Sequence, residues 1–149
     1  MTASAFVDTN VLVYAYDRSE AAKQQRARGV LWQLATTQSG VISTQVLAEF
    51  FNAVTRKIAA PLSIDEGYTR VQNFVHTWQV VNLTGTMVLE AIRGVREHQF
   101  GFWDAQIWAA ARLNQIPVVF SEDFAAGAVV EGVRFVNPLA EDFELETWM

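Results

Sequence analysis

The sequence predicts an α/β protein built on a central, mostly parallel, five-stranded sheet flanked by helices. Short apolar runs alternate along the chain with longer segments of helical periodicity, which is the pattern of consecutive strand–helix units. The 149 residues are 51% hydrophobic and include five Trp and ten Phe, enough to bury a core. No apolar run approaches the roughly 20 residues of a membrane span. We therefore expect one domain over residues 1–149.

The first predicted strand covers residues 3–8, where Phe6 and Val7 end a short apolar run and Asp8 breaks it. A buried strand that ends in a carboxylate presents that group at the edge where open parallel sheets bind ligands. Asp is also a favoured N-cap, so Asp8 alone fits equally well as the cap of a short helix over 11–16. The acids farther along the chain favour the first role.

Two helices and a strand are predicted in the next part of the chain. Ser19 is the expected N-cap of a helix whose apolar stripe runs through residues 27–34. A strand at 41–42 precedes a helix over 45–57, and Glu49 lies at the edge of that helix's apolar stripe. Glu49 either extends to water or is held at the rim of the core, facing a cleft.

The third quarter of the chain predicts two helices around a strand. Ser63 and Glu66 form a capping box at the start of the first helix, and a strand follows at 80–81. The second helix begins at Thr84 or Thr86 and continues to about Glu97, and Gly101 is expected to end it. Its expected inward residues are Met87, Val88, Ala91, Ile92 and Val95.

Asp104 lies in the first turn of the very apolar helix that follows Gly101. The helix dipole favours a carboxylate there by roughly 0.3–1 kcal/mol, which is a purely structural role. Asp104 is also the only acid in a long, aromatic-rich stretch. Because burial of an unpaired carboxylate is costly, we expect a cation, a hydrogen-bond donor or a metal ion beside it.

The fourth predicted strand, over 117–120, repeats the opening pattern because it ends in the acidic turn Ser121-Glu122-Asp123. If this strand and the first are neighbours at a topological switch point, their terminal acids meet. A fifth strand is predicted at 132–136. The acidic tail over 140–149 carries interleaved apolar residues and docks either on the domain or on a partner.

Four acids stand out as candidate ligands: Asp8, Glu49, Asp104 and Asp123. Carboxylates packed into one cleft repel each other unless cations neutralise them. With no Cys and only two His, the chain offers oxygen ligands, which suit Mg²⁺ or Mn²⁺. One or two such ions would lower the pKa of a bound water and stabilise charge on a phosphoryl group. The absence of Cys also fits a reducing compartment.

At these residues the sequence resembles the PIN-domain family and, within it, the toxins of VapBC toxin–antitoxin pairs. The resemblance covers essentially the whole chain and rests on four motifs: FVDTNV at 6–11, Ser43 to Phe50, FWDA at 102–105 and FSEDF at 120–124. It implies the three-layer PIN-like fold, a metal-dependent endoribonuclease, and coordination of Mg²⁺ or Mn²⁺ by the four acids. It also implies supporting roles beside the ligands for Asn10 and Ser121. The fourth acid varies most in the family, so Glu122 is a neighbouring candidate to Asp123.

The resemblance further implies an RNA substrate, a VapB-like antitoxin that covers the cleft, a homodimer and a cytoplasmic location. The net charge of −5 argues against nonspecific nucleic-acid binding over the whole surface. Two clusters are candidate local cations for RNA: Arg18, Lys23, Arg26 and Arg28 in one, and Arg93 and Arg96 in the other. The same clusters fit ordinary solvated helix faces.

Two other functions remain open from the sequence. Phosphatases of the haloacid-dehalogenase type also begin with an apolar strand and an Asp and use Mg²⁺, but they need a second Asp two positions later, where this chain has Asn10. A non-catalytic PIN-like fold would bind RNA or a protein without cleavage. Such a binding module has no need for four converging carboxylates.

Overall fold

The computed structural model describes residues 4–148, so residue 3 of the predicted first strand and residue 149 of the tail lie outside the described residues. The helices are α1 (Thr9–Tyr14), α2 (Ala21–Thr36), α3 (Thr44–Arg56), α4 (Ile64–Thr77), α5 (Gly85–His98) and α6 (Phe102–Leu113). The strands are β1 (Ala5–Val7), β2 (Gly40–Ser43), β3 (Gln79–Val81), β4 (Val118–Phe120), β5 (Val129–Val130) and β6 (Val133–Val136). A short 3₁₀ helix, Leu145–Thr147, lies in the tail.

Strand β1 lies at the centre of the sheet, whose order over residues 4–148 is β3-β2-β1-β4-β6-β5. It pairs in parallel with β2 on one side and with β4 on the other. The chain therefore builds one half of the sheet outward through β2 and β3, and the other half through β4 and β6. Strands β1 and β4 are thus neighbours, which is the condition under which the sequence predicts that their terminal acids meet.

The prediction of five strands is wrong, because the described residues form a sixth, β5. It pairs antiparallel with β6 at one edge of the sheet. The chain reverses between them through Glu131 and Gly132, whose φ angles of 49° and 83° are left-handed. Two residues are too few to show an alternation of apolar and polar positions, so the pattern could not reveal this hairpin.

The core fills both faces of the sheet, and its largest fully buried side chains include Trp108, Phe6, Phe50, Phe120 and Phe135. Helices α5 and α6 pack closely on one face. A Cβ atom placed on Gly94 would lie 2.9 Å from the ring of Trp108, so only glycine allows this approach without rearrangement. The close contact sets the position of α6 and hence of the acid in its first turn.

Three predicted helix starts are confirmed by their caps. Ser43 accepts from the backbone N–H of Val46 at the start of α3, and Thr84 caps α5 in the same way. Both reciprocal hydrogen bonds of the Ser63–Glu66 capping box are present. These side chains satisfy N–H groups that the first turn of a helix leaves without backbone partners.

Two predicted helix boundaries are wrong. Glu20, not Ser19, occupies the N-cap position of α2, and Ser19 hydrogen-bonds to Asp17 in the preceding turn. Gly101 does not end α5, because the left-handed residue Gln99, with φ of 57°, already does so. Gly101 is instead the N-cap of α6.

The inward face of α5 is also narrower than predicted. Met87 and Ala91 are buried, but Ile92 and Val95 are 48% and 36% exposed. The face that meets α6 is the one carrying Ala91 and Gly94, since small residues let the two helix backbones approach. Ile92 and Val95 therefore turn away from the core.

The acidic tail docks on the domain, which settles an alternative that the sequence left open. The ring of Phe143 packs edge-on against Phe120, with centroids 5.5 Å apart. The guanidinium of Arg134 lies 5.8 Å from the ring centre of Trp148. Over residues 4–148, none of the helices combines the length and the apolar composition that crossing a bilayer requires.

Candidate active site

Three predicted acids converge at the switch point. Asp8 follows β1, Asp104 lies in the first turn of α6, and Asp123 lies in the loop after β4. One carboxylate oxygen from each lies within 4.8 Å of those of the other two. Oxygen ligands of Mg²⁺ lie about 2.0–2.1 Å from the ion, so the three oxygens are close enough to share one ion with small side-chain adjustments. The donor set, all oxygen, also fits a hard divalent cation.

Asp8 is the buried member of this group, with only 5% of its surface exposed. One carboxylate oxygen accepts from the backbone N–H of Thr9 at 2.7 Å, and the other from the hydroxyl of Ser121 at 2.7 Å. Burial raises the pKa of Asp8 to about 7, and the nearby charges of Asp123 and Asp104 add to that effect against the two hydrogen bonds. A cation in the cleft would favour the ionised form.

Ser121 and Asn10 connect the loop after β4 to the start of α1. The Ser121 hydroxyl accepts from the backbone N–H of Asp123 at 3.1 Å and from the Asn10 amide at 3.3 Å. The Asn10 side-chain oxygen in turn accepts from the backbone N–H of Glu122 at 3.3 Å. Both residues thus contact the segments that carry Asp8 and Asp123.

Glu49 lines the same cavity but is not part of the close group of three carboxylates. Its two oxygens accept from the Thr9 hydroxyl at 3.3 Å and from the Gln45 amide at 2.6 Å. Of the two alternatives left by the sequence, the structure supports a carboxylate that faces a cleft. Burial raises the pKa of Asp104, and the charges of Asp123 and Glu49 raise it further.

Two glutamines that are not among the predicted site residues form a hydrogen-bond chain leading to Glu49. Gln106, which is fully buried in α6, donates to the side-chain oxygen of Gln45 at 3.1 Å, and Gln45 donates to Glu49. Two signals were present: Gln45 lies one helical turn before Glu49, and Gln106 is a polar residue within an apolar helix. A buried amide needs hydrogen-bond partners, and this relay supplies them to the side chains of both Gln45 and Gln106.

The structure separates Glu122 from Asp123. Glu122 points toward α1 and α2: one oxygen accepts from the hydroxyl of Tyr14 on α1 at 2.9 Å, and the other pairs with the ammonium of Lys23 on α2 at 2.7 Å. Asp123 points into the group with Asp8. Of the two neighbouring acids, the geometry therefore brings Asp123, and not Glu122, to the site.

The two basic clusters are engaged largely within the domain. Arg26 and Arg28 donate to backbone carbonyls of Leu139 and Ala15, at 3.2 and 2.8 Å. Arg93 pairs with three acids: Glu90, Glu97 and Glu131. These contacts favour the structural interpretation of both clusters.

The acids open into a cavity of about 420 Å³, which is lined on one side by α3 and on another by the first turn of α6. Lys57 contributes a cation to its lining, and Tyr14 and Trp103 contribute aromatic rings. Most of the Trp103 side chain is open to solvent, with 64% of its surface exposed. The cavity thus combines a carboxylate centre with groups suited to a larger ligand.

The sequence model of the PIN domain family matches residues 5–129. This range includes Asp8, Glu49, Asp104 and Asp123, together with every strand from β1 to β4. No curated protein matches the sequence.

Several solved structures share the fold. VapC20 of Mycobacterium tuberculosis, described as a toxin that cleaves the sarcin–ricin loop, is 20% identical with a TM-score of 0.64, over 86% of this chain and 98% of that one. A toxin–antitoxin complex from Klebsiella pneumoniae gives 19% identity and a TM-score of 0.67, over 91% and 98%. DNA-bound VapBC from Salmonella typhimurium is 16% identical with a TM-score of 0.64, over 92% of this chain and 99% of that one. At these identities the likeness establishes the architecture.

Proposed function

This chain belongs to the PIN domain family, and from that premise we propose that it is a metal-dependent endoribonuclease, the toxin of a VapBC-type pair. The observation that carries the proposal is the convergence of Asp8, Asp104 and Asp123 at the carboxyl edge of a parallel sheet. The solved relatives that share this architecture include a toxin that cleaves an RNA loop, which supports RNA as the substrate class.

We assign the metal to Asp8, Asp104 and Asp123, with Glu49 as the fourth acid of the site. A bound Mg²⁺ or Mn²⁺ supplies an activated water and neutralises charge on the phosphoryl group. The chain's own residues prepare that site. Ser121 orients the buried Asp8 carboxylate, and the Gln45 relay orients Glu49 toward the cavity.

A cognate antitoxin is the second partner in this proposal. Two of the relatives were solved as toxin–antitoxin or VapBC complexes, one of them on DNA. Five carboxylates line the cavity, those of Asp8, Asp17, Glu49, Asp104 and Asp123, so it suits a cationic side chain presented by a partner that covers the cleft. An antitoxin that covers the acids would also exclude RNA from them. We propose a cytoplasmic location, which is consistent with both proposed partners.

We also propose that the chain forms a homodimer through exposed apolar helix faces. Ile64, Tyr68 and Val75 are more than half exposed on α4, and Leu89 is 70% exposed on α5. Apolar side chains clustered on one helix face are typical of protein contacts. Light scattering of the purified chain beside Leu89→Glu tests this arrangement, since a monomeric parent would contradict it.

The phosphatase alternative is not favoured. The position at which that chemistry needs a second Asp holds Asn10, and the amide of Asn10 is occupied with Ser121 and the backbone of Glu122. The family match to residues 5–129 is to PIN domains.

The decisive experiment is cleavage of a mixed RNA pool in Mn²⁺ by the purified chain and by Asp104→Asn, purified identically. Asp65→Asn is the matched control, because Asp65 also lies in the first turn of a helix but on an exposed surface. We expect cleavage by the parent and by Asp65→Asn, loss of cleavage in Asp104→Asn, and loss in EDTA. Equal cleavage by the parent and Asp104→Asn would contradict the proposal.

A further inference from the structure

Trp103 is a large aromatic side chain held beside the acids and yet open to solvent. It immediately precedes Asp104 in the first turn of α6, and 64% of its surface is exposed. Its backbone carbonyl accepts from the Gln45 amide at 3.4 Å, and its ring packs edge-on against Phe102 with centroids 5.1 Å apart. The indole is therefore presented to whatever enters the cavity.

The cavity has a direction, which α3 defines. Gln45, Glu49 and Lys57 all line it, and they follow one another along α3 and its C-cap. At 1.5 Å per residue, the span from Gln45 to Lys57 is about 18 Å. The contact between Gln45 and the Trp103 carbonyl places the indole near the first end of this span. Along this span the cavity has Trp103 beside Gln45 at one end, Glu49 between, and Lys57 at the other end.

We propose, on the basis of the ribonuclease function above, that Trp103 is a stacking site for one unpaired base next to the scissile phosphate. A base stacked on the indole lies beside Asp104, so the adjoining phosphate is carried to the acid group. The strand then continues along α3, where the Lys57 ammonium binds a phosphate farther along.

The chemistry favours an unpaired nucleotide over a duplex. An aromatic face accepts any base, but only a base released from its own stack can use it. Lys23, Arg26, Arg28 and Arg93, four of the six residues in the two predicted basic clusters, contact carbonyls or carboxylates within the domain, which reduces the cationic surface that those clusters offer to a duplex backbone. Stacking at Trp103 therefore supplies affinity that the acidic surface does not.

The test measures binding separately from cleavage. In an Asp8→Asn background and in EDTA, where RNA is expected to bind without being cut, anisotropy of a labelled single-stranded RNA is compared for Asp8→Asn alone and for Asp8→Asn combined with Trp103→Leu or Trp103→Phe. Trp32→Leu is the matched control, because Trp32 is 67% exposed on α2 and lies outside the lining of the acid cavity. A duplex of the same sequence is measured in parallel.

We expect Trp103→Leu to weaken single-strand binding by roughly 5- to 150-fold, the range of one base–aromatic stack. Trp103→Phe should recover most of the affinity, Trp32→Leu should match the parent, and the duplex should bind more weakly. In cleavage by the chain with Asp8 intact, Trp103→Leu should raise KM more than it lowers kcat. The reason is that stacking stabilises the bound substrate and the transition state to a similar extent.

The outcomes separate this site from the proposed function. If the parent cleaves RNA and Trp103→Leu binds and cleaves as the parent does, the ribonuclease stands, the stacking site is overturned, and the exposed indole belongs to a protein contact. If the parent does not cleave but binding still depends on Trp103, the site stands without the activity. If the single strand does not bind at all, the stacking site is overturned.

Discussion

The hydroxyl of Ser121 donates a 2.7 Å hydrogen bond to the carboxylate of Asp8, joining two residues that are 113 positions apart in the chain. The contact exists because β1 and β4 are parallel neighbours, so the groups that follow each strand lie side by side. It orients the most buried acid of the site. It also holds the loop that carries Asp123, because the same hydroxyl accepts from the backbone of that residue.

Ser121→Ala should lower both stability and metal affinity. Loss of a hydrogen bond to a buried carboxylate costs about 1–3 kcal/mol of unfolding free energy. Because this bond lowers the pKa of Asp8, its loss should raise that pKa and move the pH at which Mn²⁺ binds to higher values. Urea denaturation and calorimetric titration of Mn²⁺ measure the two effects. Ser19→Ala, which removes an exposed hydrogen bond to Asp17, is the control.

Asp8→Asn should stabilise the metal-free protein at neutral and higher pH. The pKa of Asp8 is about 7 in the fold instead of its usual 3.8, so between these values the folded chain keeps a proton that the unfolded chain has lost. The unfolding free energy of the parent therefore falls as pH rises from about 4 to about 7. Asn removes this dependence, and we expect a gain of about 4 kcal/mol near pH 8.

Denaturation in EDTA from pH 3 to pH 8 measures the difference between parent and Asp8→Asn. It should vanish near pH 3, where the carboxyl group is protonated in both states. Mn²⁺ should stabilise the parent and not the variant, because a ligand of the folded state alone adds to its stability. A difference in unfolding free energy between the two proteins that stays constant over the whole pH range would contradict a raised pKa of the buried Asp8 carboxyl group.

Asp123→Asn and Glu122→Gln form a matched pair that identifies the acid of the last motif. Asp123 lies with Asp8 and Asp104, whereas Glu122 is paired with Lys23 and Tyr14. We expect Asp123→Asn to lower Mn²⁺ affinity and RNA cleavage at least tenfold, and Glu122→Gln to change both by less than threefold. Calorimetry and cleavage rates measure this, and the reverse order of effects would reassign the ligand to Glu122.

Gly94→Ala should weaken the contact between α5 and α6. The added Cβ would lie 2.9 Å from the ring of Trp108, and such overpacking typically costs 1–3 kcal/mol. Gly29→Ala is the control, since a Cβ there has no neighbour within 4 Å and should stabilise α2 by about 0.5–1 kcal/mol. Thermal denaturation distinguishes the two variants. An equal gain in stability in both would contradict the tight contact, because it would show that α5 and α6 move apart without cost.

Much of the fold was predictable because local chemistry dictates it. The apolar run before Asp8 predicts a buried strand, and the Ser63–Glu66 box predicts a helix start whose two hydrogen bonds are both present. The end of α5 was not predictable, because Gln99 takes the left-handed conformation that glycine usually takes. The exposure of Ile92 depends on how closely α6 approaches α5, and the sequence of α5 alone does not determine that distance.

The convergence of three acids was predictable from the sequence, and the hydrogen bonds that surround them were not. Asp8, Asp104 and Asp123 each follow an apolar run or open an apolar helix, so the sequence marks them. The choice between Asp123 and Glu122 depends on which way the loop turns after β4, and that is set by Lys23 and Tyr14 from distant elements. The buried relay through Gln106 likewise joins two helices that meet only in the folded chain.

The central position of β1 has a consequence for how the protein is made. A ribosome releases β1 and α3 early, but Ser121 and Asp123 leave it only after β4 has been synthesised. Until β4 pairs with β1, the nascent chain cannot gather its carboxylates, whatever the fold of its first part. The proposed nuclease thus lacks its assembled acid group for most of its own synthesis, and a partner that covers the cleft has its complete binding surface only after β4 has paired with β1.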